Sequence, residues 1–417
     1  TETDLFGEQA VLCGGVSALA SVRRRRTLSM AAAGVLVLAA VGSLLYTGAK
    51  ALVRYQGAKN AAVVTVPIPI TPVGMLATVD DSNHLTSVTM FVWKPEEEFG
   101  GSIVSVPVSS DTAAGIDDQR IPLTQLYDDG GADALVLGVE SILSVTIDQY
   151  LVATPEQAAA ALRPVEPIDV NLPQRVVVAN ADGTSTPLFE AGKAALTGAQ
   201  AASILNARGP EQTEAQRRPV IEALWTGVAA AVGPGRMTAP STPVPSTFDD
   251  VLARVYAGPV GARGLPAEPL PKDEQVEGND IEVLDRPEAI LVFATIAPAS
   301  MSASAVGLNF EVQAPPGYEA KVKSFVGALL YLGANVQRVY MNGPTQPATI
   351  MMLADPRFRD LTAGAEGLAG SVELHEPDVR LEGIDVTFQL GTNYLNSAAP
   401  DTLPSTTAPP TSSVTVP

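Results

Sequence analysis

Few side chains in this 417-residue chain are of a type and spacing that do chemistry, and those few exclude more than they assign. The carboxylate runs Glu96 to Glu98 and Asp128-Asp129 have the donor atoms for a hard divalent cation, but consecutive carboxylates on a loop read first as solvated charge. His84 and His375 are the only histidines; they stand far apart and outside any His/Cys/Asp spacing that ligates a transition metal, so both read as surface residues. Cys13 is the single thiol. There is no Gly-x-Ser-x-Gly elbow and no Walker-type phosphate loop.

The elements that must position any site begin at a membrane. Arg23 to Arg26 directly precede an uncharged stretch, Thr27 to Ala49, long enough at ~1.5 Å per residue to span a ~30 Å hydrocarbon core. Basic residues at one end predict a single transmembrane helix over 27–49, with residues 1–26 cytoplasmic and the bulk of the chain outside a plasma membrane. A cleaved signal peptide is the competing reading, and the length of the apolar run argues against it. Cys13 then falls on the cytoplasmic side, so no disulfide is expected outside. With 26 Lys plus Arg against 45 Asp plus Glu, the net charge of -19 argues against a nucleic-acid partner.

Beyond the anchor the pattern alternates strands and helices. β-type runs are expected at Ala61 to Thr71, Leu85 to Trp93 and Ser102 to Val108, then a helix over Gly131 to Leu143 and a strand at Ile147 to Ala153. Thr154 reads as the N-cap of a helix to Leu162, with Pro155 at its first position. Short extended pieces are expected at Val165 to Leu172 and Arg175 to Ala179, and longer helices at Ala194 to Ala207 and Arg217 to Val232. Ala289 to Ile296 reads as a buried strand. Small residues at 297–306 mark a boundary, and a second strand–helix pattern follows: Leu308 to Val312, Tyr318 to Leu332, Val336 to Tyr340, Thr349 to Leu353 and Asp385 to Leu390. The predicted division is a first α/β domain over 60–297, a small C-terminal α/β domain over 307–395 and a disordered Ser/Thr/Pro-rich tail over 397–417.

This order resembles the LytR-CpsA-Psr family of membrane-anchored bacterial envelope proteins. The resemblance is carried by DQRIPLTQLYDDGGADALVLGVESILSVTIDQYLVA at Asp118 to Ala153, by AAALRPVEPIDVNLP at Ala159 to Pro173, and by LTGAQAASILNARGPEQTEAQRRPVIEAL at Leu196 to Leu224. FEVQAPPGYEAKVKSFVGALLYLGANVQRV and IDVTFQLGTNYL are similar to the small LytR C-terminal module. The resemblance implies an extracytoplasmic α/β/α domain and transfer of a phosphoglycan from a polyprenyl-pyrophosphate carrier to the cell wall. That task calls for arginines on the pyrophosphate, aspartates holding a divalent cation, and apolar walls for the lipid tail.

On that alignment Arg120, Arg208, Arg217 and Arg218 fall near the family's basic positions, while Asn206 takes the first place of the arginine cluster. The departures are larger. Thr86, Ser87, Val88 and Thr89 replace Arg-x-Asp-Thr, and Val106, Pro107, Val108 and Ser109 replace Ile-Pro-Arg-Asp, so two arginines and both metal-binding aspartates are lost. Asp111 is the nearest substitute ligand. Other readings stand beside these: Arg217 and Arg218 as a solvated helix face, Arg120 as an ion pair with Asp117 and Asp118, and Asp148 as packing at a sheet end. Two functions follow from the resemblance. One is a non-catalytic protein that binds a polyprenyl-linked glycan or lipid, or scaffolds cell-wall assembly with the wall itself or a paralogous envelope protein as partner. The alternative is an active phosphotransferase using Mg²⁺ with Arg120, Arg208, Arg217, Arg218 and Asp111.

Overall fold

The computed structural model describes residues 41, 43, 44, 46–48, 50, 64–95, 100–112, 120–180, 182–242, 244–271, 274, 280–304 and 307–397. The chain falls into two units, 1–64 and 65–417. In the first, the described residues between 41 and 50 are helical. Among the described residues no helix is long and apolar enough to cross a membrane; most of the expected span 27–49, the cytoplasmic segment 1–26 and nearly all of the expected tail lie outside them.

The second unit is built on a mixed five-stranded sheet. Its first three strands, β1 (Val73–Val79), β2 (Leu85–Trp93) and β3 (Gly101–Val106), run antiparallel in sequence. Helix α1 (Leu123–Leu143) then crosses to β4 (Gln149–Ala153), which pairs in parallel with β1. Side chains alternate between two cores as a pleated strand requires: Met75 and Ala77 pack toward α1, while Leu76 packs on the opposite face with Phe91 and Ile103. Within α1 the backbone leaves helical geometry at Gly131, where φ is 68°, a conformation that costs glycine nothing.

The opposite face is covered by α2 (Pro155–Leu162), α3 (Gly198–Asn206), α4 (Glu214–Val232) and α5 (Phe248–Val255). Thr154, Thr197 and Thr213 each close a capping box with the glutamine three residues on, so the first three of these helices begin where their hydroxyl caps stand. Two antiparallel pairs lie between α2 and α3: β5 (Ile168–Leu172) with β8 (Gly192–Leu196), and β6 (Val176–Ala179) with β7 (Ser185–Phe189). After α5, β9 (Val260–Gly264) joins the main sheet parallel to β3, giving the order β9-β3-β2-β1-β4. β10 (Ala267–Pro269) and β11 (Glu282–Leu284) then form a short antiparallel ladder.

The centre of the α2 to α5 core is aromatic. Phe91 meets Trp225, Phe248 and Tyr256 edge to face at centroid distances of 5.6, 5.7 and 6.2 Å. The Tyr256 hydroxyl lies in this core without a hydrogen-bond partner, and burial raises its pKa. Tyr256→Phe is therefore expected to stabilise the fold by about 1 kcal/mol, because it removes an unsatisfied buried polar group at constant ring packing; the urea midpoint checks it.

Ala289 to Ile296 is a helix and not the expected strand. α6 (Arg286–Ile296) starts at Asp285, whose carboxylate accepts from the Glu288 N–H, with Pro287 in its first turn. The segment is apolar all round because it is covered on several sides, by α1, by the next helix and by the second sheet. The expected helix over 194–207 likewise divides into β8 and α3 at the Thr197 cap.

The second five-stranded sheet draws its strands only from residues 309–389: β12 (Asn309–Gln313), β13 (Asn335–Tyr340), β14 (Thr349–Leu353), β15 (Val372–His375) and β16 (Val386–Gln389). Its order is β13-β12-β16-β14-β15. Helix α7 (Glu319–Tyr331) buries Val322, Phe325, Val326 and Leu329 against it, and one continuous apolar cluster runs from the main sheet through α6 to this second sheet.

Candidate functional site

The site lies where β2 starts and β3 finishes, with the α3–α4 connection above them. Helix α4 delivers two adjacent guanidiniums to different partners, and neither lies on a solvated face. Arg217 is buried and fully used: its Nε donates to the Ala207 carbonyl at 3.0 Å, Nη1 to the Thr86 carbonyl at 2.6 Å and to Glu214 Oε2 at 3.3 Å, and Nη2 to the Leu205 carbonyl. Burial pulls its pKa below the usual guanidinium range, with Glu214 acting against that shift. Arg218 bonds the Ala267 carbonyl at 3.0 Å and Glu282 Oε1 at 2.5 Å.

Glu282 is wholly buried and comes from β11, more than sixty residues along the chain. Its other oxygen accepts from Ser109 Oγ at 2.6 Å, so one carboxylate is held from two sides. Arg208, half exposed, reaches Glu214 Oε2 at 3.1 Å and Asp280 Oδ2 at 3.4 Å. Three guanidiniums thus face three carboxylates of the same chain, Glu214, Asp280 and Glu282, and the cluster is neutral. Arg120 stands apart from these three: it binds Asp111 Oδ2 at 2.6 Å, and the expected partners Asp117 and Asp118 lie outside the described residues.

The positions where the resemblance expects arginines and aspartates hold groups that satisfy one another. Thr86 Oγ1 donates to Asn206 Oδ1 at 2.6 Å, a neutral pair at two places aligned with arginines. Val88 and Val108 are each 1% exposed and belong to the core, and Ser109 spends its hydroxyl on Glu282. The cleft between Ser87, Val88, Val106, Pro107, Arg217 and Arg218 has a volume of about 10 Å³, space for about one water molecule. Asp111, the substitute ligand, is nearly buried and receives Arg120 as well as the Ile121 N–H. A divalent cation does not fit this donor set: Asp111, Glu214, Asp280 and Glu282 are each held by a guanidinium, and a valine and a serine take the other ligand places. Among the described residues no three His, Cys, Asp or Glu side chains are grouped to hold a metal ion.

Beside the cluster opens a cavity of about 620 Å³, lined by Leu85, Val178 and Leu188 as apolar wall and by Asp80, Asp81 and Glu156 as acidic rim, with Arg208 and Arg217 at its inner end. Arg218 and Arg120 do not line it. His84 sits on the same rim, exposed, 3.3 Å from Asp128, one of the two residues of the Asp128-Asp129 run. His375 is exposed on the second sheet beside Glu373. Asp148 Oδ2 accepts from the Val73 N–H at 2.8 Å and so ties β4 to the start of β1, the packing role expected of it. The Glu96 to Glu98 run lies outside the described residues. Sequence reasoning missed Glu214, Asp280 and Glu282. Only Glu214 left a signal, its place one turn before Arg217 on the same helix.

Fold and site define a mixed α/β sandwich whose arginine cluster is neutralised from within. No family model matches the chain, and no curated protein matches it. The solved structures it overlays include LytR-CpsA-Psr proteins. One is an enzyme of that family from Actinomyces oris, at 16% identity over 58% of this chain and 96% of that one, with a TM-score of 0.37. Another is TagV of B. subtilis, at 15% identity over 53% and 97%, with a TM-score of 0.36. A third is the family protein YwtF (TagT) with bound octaprenyl pyrophosphate lipid, at 13% identity over 53% and 86%, with a TM-score of 0.35. Overlaps this loose carry no weight for the site, whose reading rests on its own side chains.

Proposed function

We propose that this chain is a membrane-anchored, extracytoplasmic envelope protein on the LytR-CpsA-Psr plan that holds a polyprenyl-linked glycan or lipid, or scaffolds wall assembly, without phosphoryl transfer. The observation that carries the non-catalytic part is the neutral cluster: Arg208, Arg217 and Arg218 are balanced by Glu214, Asp280 and Glu282, so no surplus positive charge meets a pyrophosphate. The side chains replacing the metal ligands support the same reading. In this proposal the groove along Leu85, Val178 and Leu188 is the holding surface, through apolar contact. The single membrane span, the cytoplasmic N-terminus, the division into 60–297 and 307–395, the disordered tail and a partner in the cell wall or among paralogous envelope proteins belong to the same proposal.

The test is binding of a polyprenyl pyrophosphate to the full chain in detergent, with and without Mg²⁺, alongside Arg208→Ala. Affinity is expected to stay within about twofold across all four conditions, because apolar contact dominates. Mg²⁺-dependent binding that Arg208→Ala abolishes would instead restore the transferase alternative.

A further inference from the structure

Strand β9 ends the main sheet, and its outward backbone groups have nothing to bond. The Pro259 carbonyl accepts from the Gly101 N–H at 3.1 Å and the Leu265 N–H donates to the Ser105 carbonyl at 3.0 Å, so the odd-numbered residues face β3. Successive residues of a strand turn their N–H and C=O to opposite sides, which sends those of Val260, Ala262 and Gly264 outward. Among the described residues none of these groups has a partner. Beside this edge runs a trough of about 640 Å³, lined by Ala262, by Leu291, Val292 and Ile296 of α6, and by the first turn of α7. Its charges are matched: Lys94, Arg263 and Lys323 stand with Glu288, Glu319 and Asp285, the last holding Lys323 at 2.5 Å. An uncharged occupant therefore fits it better than a charged one, which would enter without a counter-ion.

The chain itself holds such a segment close by. Lys321 Nζ donates to the Ser397 carbonyl at 3.0 Å, so the last described residue lies against the first turn of α7, whose Glu319, Ala320 and Lys323 line the trough. Residues 398–417 lie outside the described residues, and after Asp401 their sequence carries no charge. Within it 411–416 reads TSSVTV, a proline-free run between Pro410 and Pro417, rich in β-branched residues and with Val414 and Val416 two apart. Its length suits the five residues of β9. A tether of residues 398–410 reaches about 20 Å as a coil and about 40 Å as an extended Pro-rich chain. The helix it has to round, α7, is only ~10–12 Å thick.

We propose that residues 411–416 add a sixth strand to the main sheet at β9. Their backbone bonds Val260, Ala262 and Gly264, and Val414 and Val416 enter the trough against Leu291 and Val292. The tether holds the segment at a millimolar effective concentration, which suffices for a pairing too weak to last between separate molecules. Docking also closes an edge that would otherwise template pairing with another chain. The inference does not rest on the phosphoglycan or lipid reading above. It narrows the disorder expected of the tail to 398–410, since a segment with no core of its own borrows one at β9.

Hydrogen exchange of the full chain in detergent tests it, read at the amides of Ala262 and Gly264. The test variant is Ser413→Pro with Val414→Pro: adjacent residues face opposite sides, so one proline removes a ladder N–H in either register. The control is Thr406→Pro in the tether. Exchange at Ala262 and Gly264 is expected to be about tenfold or more faster in the double variant than in the wild type, with an unchanged melting curve, and Thr406→Pro should behave as the wild type. Val414→Asp with Val416→Asp should release the amides as the prolines do, because the trough offers no free cation. Leu151 at the other edge of the sheet should exchange alike in all four proteins. Equal exchange at β9 in the wild type and the double-proline variant overturns the inference, as does an equal effect of Thr406→Pro or full protection in the aspartate variant.

Discussion

Replacing Arg217 with alanine is expected to remove about 3–5 kcal/mol of folding stability, a large share of the ~5–15 kcal/mol a domain possesses in total. The side chain satisfies three backbone carbonyls, those of Thr86, Leu205 and Ala207, and shares Glu214 with Arg208. Those carbonyls belong to β2 and to the end of α3, so one guanidinium ties a sheet strand to the α3–α4 connection. Its loss strands buried acceptors, which costs more than the net worth of the bonds removed. Arg217→Lys is expected to retain part of the stability: a single ammonium has three donors but cannot span carbonyls arranged around a planar fork. Urea midpoints of the wild type and both variants decide the matter. An Arg217→Ala protein as stable as the wild type to within about 0.5 kcal/mol would mean that the arginine serves a ligand and not the fold.

The contrast between Arg217 and its neighbours explains how far the chain could be read before its structure. Elements whose signals are local were legible: β2 spans Leu85–Trp93 as expected, and Thr154 caps α2 with Pro155 behind it. β1, which lies between β2 and β4 in the main sheet, was not legible, since VGMLATV is buried on both faces and shows no alternation of polarity. The same all-round burial made α6 look like a strand, although Asp285 and Pro287 marked a helix start. At the site, the order of Arg208, Arg217 and Arg218 was plain, but their roles depend on partners that only the fold supplies. Asp280 and Glu282 approach from a segment more than sixty residues downstream, and Thr86 meets Asn206 across a separation of 120 residues. A resemblance in sequence order therefore singled out the arginines and left undetermined whether they face a ligand or the protein.

That distinction can be reversed by a single charge. Asp280→Asn is expected to tighten binding of inorganic pyrophosphate by about 10–100-fold, the range of one or two charge-assisted hydrogen bonds. Asp280 is the carboxylate to remove because its neighbours survive the change. Its oxygen accepts from the Glu214 N–H at 2.6 Å and from Arg208 at 3.4 Å, and the amide oxygen of asparagine can accept the first of these. Glu282 is a poorer choice, since it is wholly buried between Arg218 and Ser109 and its neutralisation strands a cation. With Asp280 neutral, the cluster moves from balanced to one net positive charge, carried by the half-exposed Arg208 at the inner end of the 620 Å³ groove. Calorimetric titration at low and high salt should show binding that appears with the substitution, weakens with ionic strength and disappears again in the Arg208→Ala, Asp280→Asn double variant. Wild-type protein that already binds pyrophosphate as tightly as Asp280→Asn would show that the internal carboxylates do not neutralise the arginines. The catalytic reading would then regain its footing, because an anion held there without help from substitution requires guanidinium charge free to receive it.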